Sequence, residues 1–152
     1  MALKIQHLCF SFLIATLPLT AAASLGGNVD SITNDQTSTR AQMRAVPSNG
    51  YTIHELTTEG GITVREFASA DGVVFAIAWH GPTIPDLEQL LGSYFPQFRS
   101  AMAQRHARGI RGPVALQQDD LVVESQGHMR DYSGRAYVPS LLPPQVTVAE
   151  IQ

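Results

Sequence analysis

The sequence predicts an α+β fold: an antiparallel sheet in the order β-β-β-α-β-β, with one kinked or split helix packed on one face. Three observations predict it. Residues 51–79 contain three strand-like runs joined by short turns, residues 87–102 carry an apolar stripe at helical spacing, and two further strand-like runs follow residue 120. Because the turns between successive strands are short, we expect the strands to pair antiparallel, with the helix covering the sheet.

The first three predicted strands span residues 51–57, 62–68 and 73–79. Residues 62–68 alternate in polarity, and Asp71-Gly72 is typical of the tight turn of a β-hairpin. The run 73–79 is apolar on both faces. This pattern predicts a strand in the centre of the sheet.

The predicted helix follows Pro82. Thr83 and Asp86 resemble a capping box, although a helix starting at Pro85 is equally compatible with the sequence. Pro96 interrupts the hydrogen-bond ladder, so we expect a kink or two consecutive helices near residues 94–96. The apolar stripe, in which we expect Leu90 and Leu91 to face the sheet, consists of Leu87, Leu90, Leu91, Tyr94, Phe95, Phe98 and Met102.

The last third of the chain is predicted to return to strands. Residues 121–125 and 129–138 flank a turn at Gln126-Gly127-His128. A proline-rich passage, residues 139–144, leads to a final extended piece at residues 145–151.

The amino terminus has the pattern of a cleavable signal peptide, residues 1–23. Lys4 supplies a positive charge, residues 8–19 form an apolar run, and Ala21 to Ala23 precede a predicted cut before Ser24. The run is shorter than the about 20 residues that span a bilayer. We therefore expect a periplasmic or secreted protein with no stable membrane insertion after cleavage.

The mature chain divides by composition. Residues 24–49 are polar and contain few large apolar side chains, which predicts a flexible arm, because such a segment buries too little surface to offset its ordering entropy. Residues 50–152 are long enough for a single α+β domain.

Removal of the signal peptide also limits the chemistry. Cys9 is the only cysteine and Lys4 the only lysine, so the mature chain has no disulfide and no thiol nucleophile. The mature chain then contains nine arginines and thirteen acidic residues, which gives a formal net charge of −4. This balance argues against nucleic-acid binding and against a general affinity for anionic membranes.

Metal and catalytic motifs are not evident. The mature histidines, at positions 54, 80, 106 and 128, are more than twenty residues apart, and zinc sites usually contain a close ligand pair. A metal site built from His80, Asp86 and His128 is therefore disfavoured, and we assign no metal, no cofactor and no catalytic residue. No Gly-x-Ser-x-Gly motif is present. A small periplasmic hydrolase using His80 with Asp86 or a serine remains the alternative.

A basic cluster ends the predicted helix, with no acidic residue inside it: Arg99, Arg105, His106, Arg108 and Arg111. Cations favour a helix carboxyl end because of the helix dipole, which is the simpler interpretation. A site for a phosphate, a lipid headgroup or an anionic polymer is the other.

The loop between the central strand and the helix is the best candidate for a binding site. Trp79 offers a flat apolar wall, His80 an imidazole, and Asp86 lies at a helix start. Arg135, on a late strand, is the candidate charge partner. We expect Trp79, His80, Asp86 and Arg135 to line one shallow pocket that recognises a small polar or anionic group. The leading function is a non-catalytic module that binds a protein or a small polar ligand.

Seven short strings spread over the mature chain carry a family resemblance: Ser24-Leu25-Gly26-Gly27, Val64-Arg65-Glu66, Val73-Val74-Phe75, Trp79-His80-Gly81-Pro82, Pro85-Asp86-Leu87, Leu90-Leu91-Gly92-Ser93-Tyr94-Phe95 and Ser133-Gly134-Arg135-Ala136-Tyr137. They resemble a family of small exported bacterial proteins that is known only as a domain of unknown function. The resemblance implies export from a Gram-negative bacterium and supplies no activity, cofactor or catalytic residue.

Overall fold

The computed structural model describes residues 24–29 and 42–152. The predicted signal peptide and residues 30–41 of the predicted arm lie outside the described residues. Within them, the chain forms one antiparallel sheet of seven strands in the order β1-β2-β3-β4-β7-β6-β5. The strands are β1 Gln42–Pro47, β2 Tyr51–Thr57, β3 Thr63–Ser69, β4 Val74–Gly81, β5 Val114–Gln118, β6 Leu121–His128 and β7 Asp131–Tyr137.

The predicted fold class, α+β in the order β-β-β-α-β-β, is wrong. Four strands precede the helical segment and three follow it, so the fold is dominated by its sheet. The two strands that the prediction lacks, β1 and β5, form the edges of the sheet. An edge strand pairs on one side only and needs few apolar residues. Neither β1 nor β5 therefore shows a strong apolar pattern in the sequence.

The carboxyl-terminal piece was also assigned incorrectly. Instead of an extended piece throughout residues 145–151, the structure has a 3-10 turn at Val148–Glu150. The Thr147 amide and hydroxyl both donate to the Glu150 carboxylate, which closes a capping box and favours the turn.

The helical segment is divided into α1 (Leu87–Leu91), a 3-10 turn (Gly92–Tyr94) and α2 (Phe95–Ala107). Asp86 caps α1: its Oδ1 accepts hydrogen bonds from the amides of Glu88 (2.9 Å) and Gln89 (3.2 Å). Pro96 lies in the first turn of α2, where its missing N–H removes no helical hydrogen bond. None of the helices among the described residues has the length and apolar character to cross a membrane.

The helices cover one face of the sheet, which we call the helix face. Leu91 is fully buried there and belongs to one core cluster with Ile77, Trp79, Val123 and Ala136. Leu90 packs against the same cluster but is only partly buried.

The opposite face is covered in part by residues 139–152, which we call the tail, so this is the tail face. Ile151 and Val146 are buried against Phe67 and Phe75. Phe75 occupies a bulge: Phe67 pairs with Ala76 and Ala68 pairs with Val74, so Phe75 has no partner in β3. The second core cluster therefore lies between the tail and one end of the sheet.

The segment that precedes the sheet is also packed against it. Leu25 is buried, and its amide donates to the Leu90 carbonyl at 2.9 Å. Val74 exchanges main-chain hydrogen bonds with Gly26 and Gly27 at 2.8 and 2.9 Å. Together with β1, these contacts place ordered structure at both ends of the region 24–49 that the composition assigns to a flexible arm. The sheet begins at Gln42 rather than at Tyr51.

Candidate functional site

A groove with a volume of about 820 Å³ lies on the tail face, beside the end of the tail. Its floor is built from alternate residues of four neighbouring strands, β3, β4, β7 and β6, because alternate side chains of a strand point to the same face. Two polar rows cross it. The register aligns the first as Arg65, Ala78, Arg135 and Glu124, and the second as Thr63, His80, Ser133 and Gln126.

The arginines of the first row hold the tail. Arg135 donates from Nε to Glu124 Oε2, and its Nη2 contacts the same oxygen, both at 2.7 Å. Its Nη1 donates to the carbonyls of Val148 (2.8 Å) and Ile151 (3.2 Å). All three guanidinium nitrogens of Arg135 are therefore engaged, and its side chain is 26% exposed. Arg135 is part of the groove wall and is not available as a free cation.

Arg65 is more open. It donates from Nε to Glu55 Oε2 at 2.7 Å and from Nη1 to the Gln152 carbonyl at 2.9 Å. Its side chain is 45% exposed, and none of the hydrogen bonds within the described part of the chain uses Nη2. Arg65 therefore presents an accessible donor to the groove.

His80, in the second row, contacts an acid that lies outside the row. His80 Nε2 lies 3.0 Å from Asp131 Oδ1, and the two side chains are 70% and 58% exposed. His128 Nε2 is 3.9 Å from the other oxygen of Asp131. Ser133 is the cross-strand partner of His80, which places a hydroxyl on the same face.

The structure brings part of the predicted site together. His80 and Arg135 lie on neighbouring strands and line the same groove. Trp79 also borders it, but its indole faces the core: the side chain is buried, and its ring occupies the space that a β-carbon at Gly134 would need. Asp86 is the cap of α1 and does not line the groove.

Sequence reasoning missed Arg65, Glu124 and Asp131. Arg65 and Thr63 carry the one usable signal, because both stand on the same face of a strand whose alternation was recognised. The pairing of Glu124 with Arg135 depends on the register between β6 and β7. The contact of Asp131 with His80 depends on the register between β4 and β7, in which Ser133 is the partner of His80. Neither can be read from spacing in one strand.

A buried carboxyl group lies outside the groove, on the helix face. Glu66 is 5% exposed, and its register neighbours are His54 on β2 and Ile77 on β4. Its Oε2 has no hydrogen-bond partner. Burial raises the pKa of Glu66 to about 8 and lowers the pKa of His54. Both side chains are therefore predominantly neutral at pH 7.

Residues 24–29 and 42–152 contain no group of three or more histidine, cysteine, aspartate or glutamate side chains placed to hold a metal ion. His80, Asp86 and His128 do not lie together in the structure, because Asp86 caps α1 while the two histidines lie on either side of Asp131.

The fold and the groove define a single-sheet protein with helices packed on one face and, on the other, a second apolar cluster beside a partly open polar groove. The chain belongs to the family of proteins of unknown function designated DUF2844, whose family model matches residues 21–151. The resemblance to an uncharacterised family is thereby confirmed. The match spans every strand, both helices and most of the tail, so the groove belongs to the family domain. No curated protein and no solved structure matches the chain.

Proposed function

We propose that the mature chain is an exported, non-catalytic binding module whose groove on the tail face recognises a small polar ligand carrying an anionic group. The observation that carries this proposal is the pair of polar rows on the floor of a cavity of about 820 Å³. This volume is within the range of small-ligand sites, roughly 300–1,000 Å³.

The donors that remain open in the groove favour an anionic group, even though Arg65 already contacts Glu55 and His80 already contacts Asp131. The free Nη2 donor of Arg65 and the exposed imidazole of His80 stand on the same face, two register positions apart. Glu124, the acid on the floor, is paired with Arg135 and repels an anion less for that reason. Hydroxyl groups of Thr63 and Ser133 lie on the row of His80 and supply neutral donors.

One observation favours the hydrolase alternative. The hydrogen bond that the His80 imidazole donates to the Asp131 carboxylate resembles the contact that orients a general base, and Ser133 stands opposite His80. Binding is favoured over catalysis because both members of the pair are more than half exposed, which leaves them screened by water. In addition, no hydrogen bond of the described residues joins the Ser133 hydroxyl to His80.

Binding is tested by titrating the purified mature chain with small carboxylates and phosphates, with glucose as the uncharged comparison. Trp79 is the only tryptophan and packs beneath Gly134 of the groove floor, so its fluorescence reports on occupancy. We expect saturable binding of at least one anion. Arg65→Gln and His80→Ala should each weaken it about tenfold, the size of one hydrogen bond to a charged group.

Matched controls come from the hairpin tip. His128 is 82% exposed and contacts the same carboxylate as His80 without lining the groove, and Arg130 is exposed in the turn. His128→Ala and Arg130→Gln should bind as the wild type does. Equal loss in the controls, or no response to any anion, contradicts the proposal. Ester hydrolysis that is lost in Ser133→Ala would instead support the hydrolase.

Export is proposed on the pattern of residues 1–23 and on the family resemblance. Intact-mass analysis of a periplasmic fraction from a Gram-negative host should show a chain that begins at Ser24. Full-length protein in the cytoplasm alone would contradict it.

A further inference from the structure

Charge is distributed unevenly along this chain. Residues 89–118, which include α2 and β5, contain four arginines and no aspartate or glutamate. The rest of the mature chain holds five arginines against thirteen acidic residues. The net charge of −4 is therefore the sum of +4 in one basic region and −8 in the rest, and it does not describe the field near α2.

The centre of the basic region is the loop from residue 108 to residue 112, between α2 and β5, which we call the basic loop. Arg105 holds it from the helix: its Nη2 donates to the carbonyls of Arg111 (3.3 Å), Gly112 (3.3 Å) and Pro113 (2.7 Å). The Ile110 amide also donates to the Arg105 carbonyl at 3.2 Å. These bonds fix the loop in one conformation.

The basic loop presents an apolar tip between two cations. Ile110 is 44% exposed, and Arg108 and Arg111 on either side of it are exposed as well. No atom lies within 4 Å of the position that a β-carbon would take at Gly109 or Gly112, so the loop projects from the domain. The ion pairs of the described residues involve neither arginine.

The helix dipole does not account for this arrangement. It favours cations in the last turn of α2, which covers Arg105, His106 and the cap residue Arg108. Arg111 lies three residues past that cap, and the dipole gives no reason for an isoleucine to remain in water at the tip. Arginines flanking an exposed aliphatic side chain match the interface of an anionic bilayer, which takes up apolar groups beneath its phosphates.

We propose that the basic loop docks reversibly on the surface of an anionic phospholipid bilayer, with Ile110 entering the headgroup region and Arg108 and Arg111 contacting lipid phosphates. The isoleucine selects a bilayer over a soluble polyanion, because a polyanion would engage the arginines and leave Ile110 in water. No residue of the basic loop lines the groove, although Pro113, which directly follows the loop, does.

The test is cosedimentation of the mature chain with vesicles of phosphatidylglycerol and phosphatidylcholine in equal amounts. We expect binding that weakens with added salt and is absent on phosphatidylcholine alone. Arg108→Gln and Arg111→Gln should each lower the affinity about fivefold, the usual contribution of one arginine near such a surface. Ile110→Ser should lower it about as much through the loss of apolar contact.

Two control variants distinguish binding through the basic loop from nonspecific binding to the vesicles. Ile84 is 49% exposed, lies in a loop without arginine, and is as large as Ile110, so Ile84→Ser should bind normally. Arg44→Gln removes an exposed charge on β1 and should also have no effect beyond about twofold. The proposal is overturned by the absence of binding, by equal losses in the control variants, or by binding to heparin and vesicles that Ile110→Ser leaves unchanged.

Discussion

The two faces of the sheet are made from the same strands and have opposite characters. On β4, Ile77 and Trp79 point to the helices, whereas Ala76, Ala78 and the exposed His80 point to the tail. Alanine leaves room where isoleucine and tryptophan fill it, so the helix face closes into a core and the tail face keeps a groove. The difference leaves space for a candidate site on the tail face, where the second core cluster occupies only one end of the sheet.

The largest expected effect is on the helix face. Leu91→Ala removes a fully buried side chain and should lower the free energy of unfolding by about 2–5 kcal/mol. Leu90→Ala, at the partly buried neighbour, should cost less. Urea unfolding of both variants measures the difference, and a larger loss for Leu90→Ala would show that the helix is rotated from the described position.

A second effect of similar size comes from Glu66 and depends on pH. Its pKa is about 8 in the folded protein, against 4.5 ordinarily, because burial disfavours the charged form. The unfolded chain loses this proton first, so wild-type stability falls as pH rises from about 4.5 to about 8. Glu66→Gln stays neutral and should exceed the wild type in stability by about 3 kcal/mol at pH 7.

The same variant should match the wild type near pH 4, where Glu66 is protonated in both states. His54, whose pKa is lowered by burial, opposes folding below its ordinary pKa of 6.5 in both proteins and cancels from the comparison. Thermal unfolding of the two proteins across pH 4–9 measures this. Parallel curves would contradict the account of Glu66 as a buried, neutral acid.

A smaller effect is expected at the tail. Arg135→Gln leaves the carbonyls of Val148 and Ile151 without their donor and should cost about 2 kcal/mol. Arg65→Gln breaks an exposed pair and one tail bond and should cost about 1 kcal/mol or less. The rate of hydrogen exchange in residues 147–152 should rise more in Arg135→Gln than in Arg65→Gln. Equal increases would show that Arg135 is not the main residue that holds the tail on the sheet.

Local patterns predicted the interior of the fold but not its edges. β4 was predicted to be central because the run 73–79 is apolar on both faces, and the structure buries residues 74–79 in the central strand. The structure also breaks the helix at the expected place before Pro96. β1 was assigned to a flexible arm because the region 24–49 as a whole is rich in polar residues, and the order of β1 comes from pairing with β2 along its whole length. Pairing of this kind depends on the partner strand and leaves little trace in the composition.

The residues of the candidate site were also predicted only in part. His80 and Arg135 were chosen for their chemistry, and the strand register places both in the groove. Trp79 was chosen as a flat apolar wall and Asp86 for its place at a helix start, yet an indole one residue along a strand from His80 points to the opposite face. Asp86 is engaged by the amides of its own helix. Sequence proximity is therefore a weaker guide here than cross-strand register.

The most direct test is to map ligand-induced shifts of backbone amide signals in a chain of residues 24–152 during titration with the tightest-binding anion. The account predicts that the shifts concentrate at the groove, in Thr63, Arg65, His80, Ser133 and Gln152, and are small on α1 and α2. Shifts concentrated on the helices, with the groove residues unchanged, would contradict the assignment of binding to the tail face.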